Sequence, residues 1–180
     1  MKNVGVFCGS SLGSRPEYAQ ATQHLAAISA HNGCGVVCGG AAVGLMGALA
    51  ESCDAEGVPI TGVLPRFLTA LEPASKHLTE LVLVDTMHQR KERMLELVEA
   101  VFVLPGGFGT LDEAFELLTW RQLGLHEKPV IFINISDYWK PLVRAVSSMR
   151  DHGMVVLEGR DHFQVVDSVQ EAFDRVAGRL

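Results

Sequence analysis

Two short segments hold residues whose types and spacing could do chemistry. In VFVLPGGFGTLDE (101–113), four apolar residues run into a proline, three glycines fall within four positions, and Thr110 stands three places before Glu113. In DTMHQRKERMLELVEA (85–100), Met87, Met94, Leu97 and Val98 share one stripe of a helix. Arg90, three residues after Met87 and four before Met94, falls on that stripe, while Glu92, Arg93, Glu96 and Glu99 fall off it, as solvated charges should. An arginine facing inward needs an anion. Its guanidinium stays charged and can bind a phosphate or carboxylate through two parallel hydrogen bonds. Either Arg90 faces a ligand cleft with Lys91 beside it, or its stem snorkels outward from near the helix start.

The glycine segment has two readings as well. A strand that ends in a glycine turn and feeds a helix presents free N–H groups and the positive end of the helix dipole, which favour an anion. Gly106, Gly107 and Gly109 would let the main chain approach that anion closely, and Thr110 would add a hydroxyl. A monophosphate suits such a turn better than a bare carboxylate. Thr110 and Glu113 also form T-x-x-E, a helix-capping box. Capping accounts for those two residues but not for three glycines, each of which costs backbone entropy.

These segments need a frame, and the rest of the chain supplies one. Apolar, β-rich runs at 3–8, 35–38, 59–64, 81–84, 101–104, 130–135 and 163–166 alternate with helical patterns at 16–31, 45–56, 87–99, 110–123, 138–152 and from 168 onward. The strands are apolar throughout rather than alternating, which suits a parallel sheet covered on both faces. The expectation is one doubly wound, Rossmann-like α/β domain over 1–180, with no linker or repeat. In such sheets ligands sit beyond the carboxyl ends of the strands. Three glycine-rich loops follow strands: GSSLG (9–13), with Gly9 and Ser10; GGAAVG (39–44), with Gly39 and Gly40; and PGGFGT (105–110). Neither GxGxxG after the first strand nor GxxxxGK[ST] is present, so nicotinamide chemistry and ATP hydrolysis lose their usual supports.

Bulk composition narrows the options further. The chain has 180 residues, 48% hydrophobic and 20% charged, with a formal net charge of -6. That suits one sizeable core and argues against non-specific nucleic-acid binding, which needs a basic excess. No apolar run reaches membrane-span length, and MKNVGVFCGSS has too short an apolar stretch for a signal peptide, so the cytoplasm is expected. Cys8, Cys34, Cys38 and Cys53 suit reduced, packed thiols there. His31, Cys34 and Cys38 lack a paired partner set, so no metal site is expected. Phe115, Leu118 and Trp120 make the 110–123 helix apolar on more than one face. Core packing is the expected explanation for most of that surface.

Taken together, MHQRKERM (87–94) and PGGFGTLDE (105–113), separated by one short strand, closely resemble the paired signature of the Lonely Guy family. Those are cytokinin riboside 5'-monophosphate phosphoribohydrolases, long mislabelled as lysine decarboxylases. The resemblance extends through FCGSS (7–11), GGAAVGLMG (39–47) and FELLTW (115–120) and covers nearly the entire chain. It implies a Rossmann-like homodimer without metal or redox cofactor, which hydrolyses the N-glycosidic bond of AMP or an N6-modified AMP to the free base and ribose 5-phosphate. Arg90 and Glu113 match the family's catalytic pair. Lys91, Gly107, Phe108, Gly109, Thr110 and Thr119 match substrate-contacting positions, as do Glu72 in the loop after the third strand, Met87, Gly106 and the two earlier glycine loops.

The sequence departs from the family pattern where Phe108 replaces a commoner tyrosine, and where Ala41 and Ala42 replace Gly-Ser. Each change removes a hydroxyl and bears on substrate preference. By this resemblance Glu113 would stabilise the charge that grows at the sugar C1' and activate water, with Glu72 and Asp85 as candidate proton donors to the base. The rival reading is a non-catalytic nucleotide or cofactor carrier of the same fold, which would need the glycine loops but not the Arg90–Glu113 pair.

Overall fold

The computed structural model describes residues 1–155 and 162–180. Among the described residues, seven strands and six helices follow one another, alternating except between β3 and β4: β1 (Asn3–Phe7), α1 (Pro16–Asn32), β2 (Gly35–Cys38), α2 (Gly44–Ala55), β3 (Ile60–Pro65), β4 (Glu80–Val84), α3 (Met87–Glu96), β5 (Ala100–Val103), α4 (Phe108–Gln122), β6 (Val130–Ile133), α5 (Lys140–Asp151), β7 (Gln164–Val166) and α6 (Val169–Val176). All pair in parallel, in the order β4-β3-β2-β1-β5-β6-β7. This is the doubly wound architecture the apolar strand runs predict. Winding reverses between β1 and β5, so the loops leaving those two strands diverge and open a crevice at their carboxyl ends.

Period-two alternation sorts the core into two layers. Val4, Val6, Val36, Cys38, Phe102, Ile131 and Ile133 face α1, α2 and α6, meeting Leu25, Leu45, Leu49 and Phe173. Phe7, Val37, Val63, Val101, Val103 and Phe132 face the other way, onto Met94 and Val98 from α3 and its end, Ala114 and Leu117 of α4, and Trp139. All four cysteines are buried and none forms a disulfide. No described helix is long and apolar enough to cross a membrane.

Element ends differ from the sequence expectation at informative places. α4 begins at Phe108, two residues before the expected Thr110, with Gly107 as its N-cap and no side chain capping it. α3 stops at Glu96 rather than Glu99, because the Glu99 N–H leaves the helix to donate to the Asn3 carbonyl of β1. α5 begins at Lys140, since 135–139 form a tight turn with Ser136 and Asp137 at positive φ. On α4 the buried positions are Thr110, Glu113, Ala114 and Leu117. Phe115 is exposed, while Leu118 and Trp120 are half-buried and pack against the second core layer, so core packing accounts for most of that second apolar face and leaves Phe115 outside it.

Close backbone approach holds the sheet edge together. Gly40 sits at φ 79° and a Cβ there would lie 2.9 Å from the Cα of Gly62, so the loop after β2 touches strand β3 main chain to main chain. Gly33 ends α1 at φ 63° with open space around it. Alanine at 33 should therefore cost only the left-handed penalty, about 1 kcal/mol. Alanine at 40 adds a backbone collision and should cost about 3 kcal/mol. Chemical denaturation of the two variants checks the difference, and equal losses would contradict this packing.

Candidate active site

Arg90 is set by the start of α3. The Thr86 hydroxyl accepts the Gln89 N–H at 3.1 Å, and Gln89 Oε1 accepts the Asp85 N–H at 2.9 Å, which fixes the first turn. One turn in, the Arg90 side chain runs inward, 5% exposed. Its Nε donates to the Val63 carbonyl of β3 at 3.0 Å, and its Nη1 lies 3.8 Å from the Met87 sulfur. A Cβ on Gly39 would stand 2.0 Å from Nη2, so the guanidinium occupies the space of the missing side chain. Arg90 is therefore a buried cation held by a carbonyl and a glycine cradle, not a snorkelling stem.

Glu113 faces it. Its Oε1 lies 3.5 Å from Arg90 Nη1, and the residue is 7% exposed. Burial pushes its pKa up to about 7, against the opposing pull of Arg90; Asp112 and Glu72 raise it further and Lys91 lowers it. A carboxyl poised near neutrality can exist in either protonation state under working conditions, a property common at acid–base centres. Neighbouring thiols stay neutral: burial raises Cys8 well above its ordinary range and Cys38 to about 11.

The glycine turn lies alongside. With Gly107 as N-cap, the first intrahelical bond runs from the Leu111 N–H to the Gly107 carbonyl at 3.0 Å. The N–H groups of Phe108, Gly109 and Thr110 thus have no partner within the helix. The capping-box alternative fails here, because Thr110 sits inside the helix and Glu113 turns toward Arg90 rather than back to a cap. Thr110 is buried, and its hydroxyl lies over Gly106, where a Cβ would meet Oγ1 at 2.1 Å. Gly106 is thus required by its own chain. Gly107 and Gly109 are not: a Cβ at either would meet nothing within 4 Å, and neither has a positive φ. Open space in front of two glycines at an uncapped helix start is room for an anion against the main chain.

The remaining sequence-derived residues lie at varying distances from this pair. Gly9 joins the site directly: its N–H donates to the Pro105 carbonyl at 3.0 Å, tying the loop after β1 to the glycine turn. Ser10 is exposed where that loop crosses Gly44. Gly39 and Gly40 are explained by Arg90 and Gly62. Glu72 is half-buried in the loop after β3, with its charge felt at Glu113, while Asp85 is exposed beside Arg66. Phe108 is 93% exposed.

Two residues lie apart from the Arg90–Glu113 pair. Lys91 is buried between Asp112, at 2.9 Å, and Glu116. Burial works against its charge, but Glu116 and Asp112 outweigh it and hold the ammonium above its usual pKa. Thr119 is exposed, bonds the Phe115 carbonyl at 2.8 Å, and lines a groove between α4 and α5.

Asp112 escaped the sequence reading, although adjacent residues on each helix carry the signal. Arg90 meets Glu113 while Lys91 meets Asp112, so an R-K pair on α3 matches a D-E pair on α4. Tyr138, whose hydroxyl donates to the Gly106 carbonyl at 2.6 Å, left no comparable trace.

Alanine at position 39 should evict the guanidinium. The expected result is a chain that still folds but melts lower, because Glu113 loses its buried partner, with turnover lower by about a hundredfold, the scale of an ångström-sized misplacement. Differential scanning fluorimetry and steady-state kinetics together check this.

Residues 46–176 match a protein family described as possible lysine decarboxylase. A cytokinin riboside 5'-monophosphate phosphoribohydrolase of Rhodococcoides fascians is 40% identical over 172 residues, covering 95% of this chain and 87% of that one. The Arabidopsis thaliana protein of that name, LOG7, is 38% identical over 154 residues, covering 86% of this chain and 71% of that one. Among solved structures, the molybdenum cofactor binding protein of Rippkaea orientalis superposes with a TM-score of 0.73 at 18% identity, covering 98% and 96% of the two chains. The molybdenum cofactor carrier of Chlamydomonas reinhardtii does so at 0.71 and 17%, with the same coverage. At those identities the structural likeness speaks for the fold alone. The sequence relatives go further: this chain belongs to the Lonely Guy family, the one that carries the possible lysine decarboxylase description.

Proposed function

We propose that this chain hydrolyses the N-glycosidic bond of adenosine 5'-monophosphate or its N6-modified forms, releasing the adenine-type base and ribose 5-phosphate. The observation that carries this reading is the buried Arg90–Glu113 pair beside an open helix start. A carrier needs the anion-binding turn but gains nothing from desolvating two charges, which costs several kcal/mol per ion.

In this reading the 5'-phosphate is held by the main-chain amides of 108–110 and the Thr110 hydroxyl, which sets the ribose over Glu113. As the bond to the base lengthens, positive charge grows at C1'. The ionised Glu113 stabilises it and takes a proton from the attacking water. Arg90 keeps Glu113 ionised and aimed. Gly39 supports Arg90; Met87 packs on it; Lys91 clamps α4 to α3 through Asp112 and Glu116. Of the two candidate proton donors, Glu72 is the one whose charge reaches Glu113. No metal or redox cofactor enters this scheme.

The apolar groove between α4 and α5, about 330 Å³ and lined by Phe115, Leu118, Thr119, Val143, Val146 and Met149, suits a second copy of the chain. A homodimer built there would give Thr119 a place at the partner's site. Four buried thiols and an acidic surface fit the cytoplasm, and the net charge of -6 offers nothing to nucleic acid.

Incubation with AMP and with N6-isopentenyl-AMP, following free base by chromatography, tests the activity; tight binding without base release would favour a carrier. Glu113→Gln should retain binding and lose about a thousandfold in turnover. Because the active form is the ionised carboxylate, kcat/KM should rise with pH through about 7. Removing the positive charge in Arg90→Gln should move that limb to higher pH. A rate that falls through the same range would instead make Glu113 the acid.

A further inference from the structure

We infer that Tyr138 is a positioning residue of the phosphate turn: its hydroxyl fixes the Gly106–Gly107 peptide, with the Gly107 N–H pointing away from Tyr138, and so sets the angle at which the chain enters the amides of 108–110. This rests on the reading of the turn as the phosphate site.

The peptide in question joins two glycines, the pair least able to resist rotation of the plane between them. A trans peptide is planar, and its C=O and N–H point in opposite directions. Holding one therefore orients the other. The Tyr138 hydroxyl donates to the Gly106 carbonyl at 2.6 Å, the short end of the range for an O–H donor. The contact spans 32 residues of chain, so it is a tertiary fastening rather than a local turn bond.

The loop that delivers Tyr138 is built at some cost. Ser136 and Asp137 lie at φ 52° and 65°, two successive side-chain-bearing residues in the left-handed region and the only such residues among those described. Strain of this kind persists only where surrounding contacts over-determine it, and here they do. Asn134 Oδ1 accepts the Trp139 N–H at 2.8 Å, and its Nδ2 donates to Asp137 and Asp167, each at 3.3 Å. Trp139 Nε1 donates to the Val103 carbonyl at 3.3 Å, on the strand that enters the glycine turn. The Tyr138 ring packs edge-on against Tyr18 and Trp139, with centroids 5.6 and 4.8 Å away. Strand β5 and the Tyr138 loop are thus locked in register, with the hydroxyl resting on the turn. A cavity of about 270 Å³ lined by Ser10, Ser11, Tyr18, Gly106, Gly107 and Tyr138 flanks it, so little else steadies this peptide from that side.

Tyr138→Phe keeps the ring contacts and removes one O–H. The expected result is a KM for AMP, and an inhibition constant for ribose 5-phosphate, each raised about fivefold to tenfold. Melting temperature should hold within a degree or two, kcat within about threefold, and affinity for adenosine, which lacks the phosphate, should be unchanged. Tyr138→Leu should show the same KM change plus a loss of stability. The inference is overturned if Tyr138→Phe binds AMP and ribose 5-phosphate like wild type, or if only Tyr138→Leu weakens them, since ring packing would then be the whole role. Binding by calorimetry reads this even if the wild-type protein hydrolyses nothing. Failure of hydrolysis with a phosphate-specific Tyr138→Phe defect would sink the enzymatic reading alone.

Discussion

A carboxylate and a guanidinium buried together, 3.5 Å apart, are the constraint around which the rest of this molecule is arranged. Leaving either charge alone in the interior would cost several kcal/mol, so every neighbouring element is committed to the pair. β3 gives a carbonyl to Arg90, the loop after β2 gives the space of an absent side chain, and α4 starts early enough to bring Glu113 around to it. Yet the pairing is loose. At 3.5 Å it lets burial dominate and hold Glu113 at about 7 rather than at an ordinary carboxylate value.

The topology explains why this pair lies beside an anion site. Reversal of winding between β1 and β5 leaves their carboxyl ends uncovered. The Gly9–Pro105 bond then ties the two loops into one rim. On that rim, Gly107 and Gly109 face open space, while Gly106 and Gly40 are consumed by close contacts within the chain. The glycines thus divide into those the fold needs and those a ligand would need, and both sets fall along the same edge.

Fold and site were unequally legible in the sequence. Strand runs such as GVVC and VIFI are apolar at every position, and that alone separates a doubly covered parallel sheet from a sandwich. The central strands could be placed from it and the six helices from their own patterns, whereas the edge strands β4 and β7 begin at Glu80 and Gln164 and stay partly exposed. Arg90 stood out because it broke a helical stripe. The start of α4 did not, because T-x-x-E is a strong local signal and the competing start, a glycine N-cap without a side-chain bond, has none of its own. Lys91 looked like a second ligand-facing cation; its burial between Asp112 and Glu116 depends on a helix twenty residues on. The Tyr138 loop was invisible for a related reason. Ser136 and Asp137 adopt left-handed backbone that their side chains disfavour, so tertiary contacts override propensity at that point. Thr119 could be assigned a role only by resemblance, and within a single chain it is exposed on a different face of α4 from the buried carboxylate.

The most direct test of the central claim is a crystal structure of Glu113→Gln with AMP bound and uncleaved. The phosphate should sit within hydrogen-bond distance of the main-chain nitrogens of 108–110, with the side chain at 113 within about 4 Å of C1'. A phosphate bound elsewhere, or residue 113 still turned to Arg90 with the sugar out of its reach, would contradict it.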